Sequence, residues 1–320
     1  MTMKQGRWVA LDEFRGFAVL LLIVFNGFYG FALTPGWLDH APAGHYHIAD
    51  LIAPLFLFAV GLAYPLSLRK RRERDGRTSA AIHAIRRGVT LIAFGALGDC
   101  LIAGPGHPVF NWGTLEMIGL CCIVAFLMLD WKPIYRILAG IGLLGAWQNI
   151  LGFPHFASLL GVHYDMGGPC AVLSWVSVVL IASAVCDWRS ACSAAGYVLR
   201  TVLAAAVVSV LAWDALHFAV ISKYTVSASY ILVSLVGCFT CFFLFSLKER
   251  FGIRPVALLN SLGKNALVLY MVSGILNKLA ITAAGPSVSL VLLPFVAMIQ
   301  IFIMISLGLF MDRKKIIIAL

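Results

Sequence analysis

The chain has 320 residues, of which 61% are hydrophobic and only 12% charged, with a formal net charge of +10 and a mean hydropathy of +0.95. No soluble domain of this length has an interior for so much apolar surface, so the composition excludes a water-soluble globular protein and requires a bilayer. The basic residues are scattered over short segments between apolar runs, which leaves a nucleic-acid reading weak.

Lipid offers no water to unpaired backbone groups, so spanning segments are helices or closed barrels. The apolar runs here are continuous rather than alternating, which selects helices. Ten spans are expected, at 15–33, 50–68, 87–104, 112–130, 134–152, 169–187, 194–213, 225–246, 258–281 and 287–311, each near the roughly 20 residues a bilayer demands. Arg200 interrupts the seventh, and Lys264 and Asn265 interrupt the ninth. An even number puts both termini on one side.

Lys and Arg accumulate on cytoplasmic loops. Here they cluster at Lys4, Arg7 and Arg15, at Arg69–Arg77 with Arg86 and Arg87, and at Lys132 and Arg136. They recur at Arg189, at Lys248, Arg250 and Arg254, and at Arg313–Lys315. Each cluster falls where cytoplasmic termini would put cytoplasm, as expected for a cell (inner) membrane protein. Lys223 and Lys278 are the basic residues on the opposite side. The first apolar run lacks a small-residue cleavage pattern and is expected to stay as an anchor rather than act as a signal peptide. Eight cysteines lie mostly inside spans, and the Cys238–Cys241 pair reads as reduced packing in an apolar helix. The expected fold is an all-α bundle of about ten transmembrane helices, one domain over 1–320, with 69–86 as its longest loop off the membrane.

Residues 34–74 carry the densest chemistry. His40, His45 and His47 share a short loop with Asp39 and Asp50, an apolar run follows, and then the arginine burst. With this orientation seven of the eight histidines (His40, His45, His47, His107, His155, His163 and His217) lie on or near the outer side, with Asp99, Asp165 and Asp214, while Glu116 lies about a turn into span four. Ionisable groups at membrane depth are costly and usually line a polar cavity, and histidine exchanges protons near neutral pH. The group points to a functional cavity, although a single interfacial histidine is more often idle. The His45-Tyr-His47 pair with Asp50 supplies three potential metal ligands, but no second cluster has ligand spacing, and no metal is expected.

The motifs themselves resemble a known family. The opening Arg7-Trp-Val-Ala-Leu-Asp12-Glu-Phe-Arg15-Gly16 is followed by a span ending at Asn26, then His40-Ala-Pro, Ala49-Asp50 and Pro54-Leu-Phe-Leu-Phe-Ala-Val-Gly61. This resembles the catalytic domain of heparan-α-glucosaminide N-acetyltransferase and its bacterial relatives, with an LDxFRG-like opening and an HAxWxGLTxAD-like loop before FPxFLFxxG. Trp112-Gly-Thr-Leu-Glu116-Met117-Ile-Gly119 is similar to a GVLQRIG element, and Leu262-Gly-Lys264-Asn265-Ala-Leu-Val-Leu-Tyr270 to a late GxNALxxY element. The chain departs from the pattern at Glu116-Met117, where the family has Gln-Arg, at Ala43 and Gly44, and at Tyr164–Gly168, which lacks a glutamate. These changes touch the acceptor side.

The resemblance implies transfer of an acetyl group from cytoplasmic acetyl-CoA to an outer acceptor, a sugar amine or hydroxyl. His40 would be general base or be acetylated transiently, Asp50 would orient its ring, and Asn26 would hydrogen-bond the thioester carbonyl. Asp12, Arg15, Arg87, Lys264 and Asn265 fall on the coenzyme side, where phosphates need cations. His45, His47, Trp112, Glu116 and Asp165 fall on the acceptor side. Structural roles compete: Arg15, Arg86 and Arg87 as orientation anchors, Asn26 as an interhelical bond, Asp50 as a helix cap. A small-solute transporter or proton-coupled channel would use the same cavity, and an inactive member would keep the fold alone. The expected partners are acetyl-CoA, a saccharide or other small acceptor, the bilayer and, as a candidate, a second copy of the chain in a homodimer.

Overall fold

The computed structural model describes residues 8–103, 111–155 and 166–318. These residues form ten α-helices: α1 (Val9–Phe28), α2 (Ile52–Ala103), α3 (Thr114–Phe126), α4 (Pro133–Leu151), α5 (Val172–Ala191), α6 (Ala194–Phe218), α7 (Ala228–Arg250), α8 (Ala257–Lys264), α9 (Ala266–Ala284) and α10 (Leu293–Arg313). No strand occurs among the described residues. Seven helical segments are long and apolar enough to cross a membrane, and the protein is a multi-pass membrane bundle.

α2 is 52 residues long and bends at Gly76, whose φ of 83° and ψ of 171° lie outside the helical region. A Cβ at Gly76 would meet open space, so glycine serves the backbone conformation there rather than a close contact. The basic run expected as a loop at 69–86 is therefore helical on both sides of an elbow. Arg, Lys, Glu and Ala are good helix formers, and hydropathy alone hides that.

Three further boundaries differ from expectation. α1 begins at Val9 rather than 15, because its acid is satisfied inside the bundle. Glu13, only 1% exposed, accepts from Lys248 Nζ and from the Val256 amide at 2.7 Å. The single span expected at 258–281 is broken at Asn265, whose φ of −119° leaves the helix. There the Asn265 side chain takes over backbone pairing with the last residues: Nδ2 donates to Ile316 O at 2.9 Å and Oδ1 accepts from Ile318 N at 3.0 Å. α3 has 13 residues, about 20 Å at the α-helical rise, less than the expected span at 112–130.

α5 is the centre. Every residue from Ser174 to Cys186 is buried, as an all-round apolar helix must be in a bundle interior. α6 and α10 instead expose Val207, Val210, Trp213, Phe302 and Phe310 outward, the face lipid would cover.

The two ends of the sequence meet through glycines. A Cβ at Gly16 would lie 1.9 Å from Leu259 O, and one at Gly263 would lie 2.4 Å from Asp12 O. α1 and α8 thus pack backbone on backbone, which only a missing side chain permits. The opening and late motifs, far apart in sequence, form one unit at the end of the bundle that also holds Ile318.

That end is clasped by ion pairs. Asp187 takes Arg69 and the fully buried Arg136, Asp130 takes Arg72 and Arg77, and Glu249 meets Arg189 at 3.4 Å. Arg189 also lies 4.4 Å over the Trp8 ring.

Candidate active site

At the opposite end the segment between α1 and α2 folds over the bundle. Two short 3-10 turns, Gly36–Leu38 and Ile48–Leu51, shape it, and the Gly44 amide ties it to Ile221 O at 2.8 Å. Asp50, 3% exposed, organises the loop. Its Oδ1 meets His40 Nδ1 at 2.8 Å. Its Oδ2 accepts from the amides of His47 at 2.9 Å and Ala41 at 3.2 Å. Its backbone carbonyl accepts from Tyr230 Oη at 2.8 Å. Asp50 therefore both starts the helical turn leading into α2 and pins the imidazole.

The pairing fixes the tautomer. An ionised carboxylate only accepts, so Nδ1 of a neutral His40 carries the proton and Nε2 keeps its lone pair. The His40 side chain is 27% exposed, enough for a reacting group to reach it. Tyr29 holds its edge against the ring at 5.9 Å, and the His40 amide bonds Asp39 Oδ1 at 2.7 Å.

His40 and Asp50 line a cavity of about 450 Å³, joined by Asn26 of α1, Tyr29 just past its end, Asp99 of α2, Asn111 and Thr114, Tyr230 of α7, Tyr270 and Asn277 of α9, Lys223 and Lys278. Asn26 Nδ2 donates to Ser273 Oγ at 2.8 Å, which uses one of its two amide hydrogens and leaves the other.

Of the residues expected on the acceptor side, the four described ones, His45, His47, Trp112 and Glu116, do not line this cavity. His47 Nδ1 bonds Asp39 O at 2.9 Å, and His45 is exposed. Trp112 is in the hydrophobic core. Glu116 is 1% exposed and presses on Gly95, where a Cβ would lie 2.2 Å from its carboxyl carbon. Asp165, His107 and His163 lie outside the described residues. The metal triplet is also split, because Asp50 pairs with His40 rather than with His45 and His47; among the described residues no group of three His, Cys, Asp or Glu is placed to hold an ion.

The five residues expected on the coenzyme side divide. Lys264 pairs with Asp312 and Asn265 holds the Ile316–Ile318 backbone, so both serve the bundle's own closure. Asp12 lies beneath Gly263. Arg15 and Arg87 are different. Arg15 lies within charge–charge reach of Asp12 and Arg87, and among the described residues its side chain has no hydrogen bond or ion pair. Arg87 stacks 5.7 Å over the Tyr64 ring, and both Arg87 Nε and Tyr64 Oη are buried without a hydrogen-bond partner. Two guanidinium groups of like charge within interaction range, beside buried donors without partners, form a cluster that a bound anion would relieve.

Sequence reasoning missed Tyr29, Tyr230, Tyr64 and Asn277 as site residues. Tyr230 is 180 residues from Asp50, and no spacing announces it. Asn277 and Lys278 had a readable signal, since an amide and a cation stand inside an otherwise apolar run.

No curated protein sequence matches the chain at a significant level. The family described as "Heparan-alpha-glucosaminide N-acetyltransferase, catalytic" matches residues 7–186, more than half of the chain and the whole stretch from the opening motif through α3 to the buried core of α5. The His–Asp pair, the LDEFRG-like opening and the multi-pass bundle agree with that match, and the chain belongs to the heparan-alpha-glucosaminide N-acetyltransferase catalytic family.

Proposed function

We propose that this protein transfers an acetyl group from acetyl-CoA, bound from the cytoplasmic side, to an amine or hydroxyl of a sugar-like acceptor that enters the His40 cavity from the opposite side. The observation that carries the reading is the His40–Asp50 pair at 2.8 Å on the wall of the cavity. His40 Nε2 would take the acceptor's proton, and Asp50 would hold the ring and stabilise the imidazolium that results. The remaining Asn26 amide hydrogen would donate to the thioester carbonyl oxygen as negative charge builds there. Acetyl-CoA supplies the activated acyl group.

The Arg15, Arg87 and Tyr64 cluster supports a place for the coenzyme's phosphates. Arg15 and Asn26 are eleven positions apart on α1, about 16 Å at the α-helical rise. That is a separation an extended pantetheine arm can cover, with phosphates at Arg15, Arg87 and Tyr64 and the thioester near Asn26. The arginine-rich end would then face the cytoplasm, in line with the charge bias of short loops.

The test is direct. Purified protein is mixed with acetyl-CoA and glucosamine, and free thiol release is followed together with mass analysis of the sugar. Acetylated product and stoichiometric thiol are expected. A protein that neither binds acetyl-CoA nor releases thiol with any amine or hydroxyl acceptor would remove the reading.

A further inference from the structure

We infer that the groove between α6 and α7 at the arginine end of the bundle holds a membrane phospholipid, with one acyl chain between the helices and the phosphate beside Arg250. The inference stands apart from the transferase reading above.

The groove follows from helix geometry. Ala194, Tyr197, Val198 and Thr201 line it from the first two turns of α6, and Phe243, Ser246, Leu247 and Arg250 from the last two turns of α7. Both sets follow the i, i+3, i+4, i+7 pattern of a single helix face. The two faces part to leave a cavity of about 330 Å³. Seven residues of α-helix rise about 10 Å, and a further helix of that length would need roughly 800 Å³. The space takes a thin chain rather than another helix.

The surroundings name that chain as lipid. Leu199 and Val202 of α6 and Leu244 of α7 adjoin groove residues in sequence and are exposed, on helices long and apolar enough to cross a membrane. The groove is therefore flanked by surface that lipid tails cover. At its deep end Thr201 Oγ1 donates to Tyr197 O at 2.8 Å, which spends that hydroxyl on its own helix. The Tyr197 and Ser246 hydroxyls lie within interaction range of each other. Ala194, Val198, Phe243 and Leu247 then offer the slot only hydrocarbon.

The other end is polar. Glu249 accepts from Arg189 at 3.4 Å and from the Ala10 amide at 3.2 Å, and Arg189 lies 4.4 Å over the Trp8 ring. Arg250, in the last turn of α7, is exposed and forms no hydrogen bond or ion pair among the described residues. Two guanidinium groups and one carboxylate leave the mouth with one positive charge. An apolar slot that ends in a cation, at the ends of two spanning helices where headgroups lie, is the complement of a phospholipid. Trp8 also lines the slot. A lipid seated there would brace the start of α1, the helix that carries Arg15 and Asn26.

The experiment uses the whole protein in detergent, stripped of lipid and then incubated with phosphatidylglycerol or phosphatidylcholine of identical chains. Native mass spectrometry and thermal melting are the readouts. One retained phosphatidylglycerol per chain and a raised Tm are expected. Phosphatidylcholine should be held about fivefold more weakly, the scale of one basic residue at a charged membrane surface. Val198→Trp fills the slot and should abolish retention of both lipids. Arg250→Glu should reverse the preference, whereas Arg313→Glu, at an exposed cation of the same end, should leave it unchanged. Millimolar glycerol 3-phosphate should displace nothing, because the buried chain supplies the hold. Undiminished retention in Val198→Trp, a preference that Arg250→Glu and Arg313→Glu change alike, or displacement by the soluble phosphate ester overturns the inference. If Val198→Trp does not melt cooperatively, the exposed Arg250 position decides alone. Each of these outcomes leaves acetyl transfer untouched.

Discussion

The two ends of the bundle solve the problem of charge in opposite ways. At the arginine end, carboxylates and guanidinium groups close on each other: Asp187 with Arg69 and Arg136, Asp130 with Arg72 and Arg77, Glu13 with Lys248, Asp312 with Lys264. At the histidine end the His40–Asp50 pair stands on the wall of an open cavity that Asn26 and Asn277 also line. Where charges are mutually satisfied, they fasten helices. Where a pair lines a cavity, as His40 and Asp50 do, it is within reach of a ligand. Arg15, Arg87 and Tyr64 are instructive because they stand apart from the fastening pattern of the ion-paired end.

Substitutions at each end test whether this division is real. The largest effect is expected from His40→Ala, which should lower kcat by about 10²–10⁴-fold with acetyl-CoA affinity nearly intact, because a general base acts on the reacting atoms. His45→Ala and His47→Ala should retain most turnover. Turnover that survives in His40→Ala and vanishes in one of the other two would move the base elsewhere in the loop.

Next comes Arg136→Ala at the fastened end. It leaves Asp187 short of its fully buried partner and should destabilise by about 3–5 kcal/mol, read as a lower Tm in detergent. Arg72→Ala, at a partly exposed pair, should cost no more than about 1 kcal/mol. Similar losses for the two would mean that burial does not set the value of these pairs.

Arg15→Gln and Arg87→Gln should each raise the KM for acetyl-CoA about tenfold, the scale of one charge-assisted contact to phosphate. Each should also shrink the Tm rise that the coenzyme produces by mass action. A coenzyme-induced shift that is untouched in both would place the phosphates elsewhere.

The smallest effect is expected from Asn265→Ala. It frees the Ile316–Ile318 segment and should cost about 1–2 kcal/mol, seen as a Tm shift without loss of coenzyme affinity. A large rise in acetyl-CoA KM instead would return Asn265 to the coenzyme side.

Much of the architecture was legible because lipid makes hydropathy an almost literal map of helices. What failed was local and had local reasons. Asp12, Glu13 and Arg15 look to hydropathy like a loop, yet Glu13 is folded into α1 by Lys248 and Val256, 235 and 243 positions away. The run after Leu68 looks like a loop because it is charged, although charge and helix are compatible until Gly76. At the site, His40 and Asp50 were readable because they share one short loop and a family-like spacing. The family resemblance places Lys264 and Asn265 on the coenzyme side, where phosphates need cations. The return of Asp312 and Ile316–Ile318 to satisfy them is a tertiary fact with no sequence signature. Tyr230, 180 residues from Asp50, was invisible for the same reason.

The bond from Glu13 to Lys248 has a consequence for biogenesis. Glu13 leaves the ribosome 235 residues before its cationic partner, and the Gly16–Leu259 approach waits equally long. The first helix therefore enters the translocon before the partners that hold Glu13 in the folded protein are made, and it acquires its final seat only when α7 and α8 arrive. A nascent chain stalled before Lys248 presents Glu13 without its folded-state seat to the membrane quality-control machinery, and its turnover should slow once the arrest point passes Gly263.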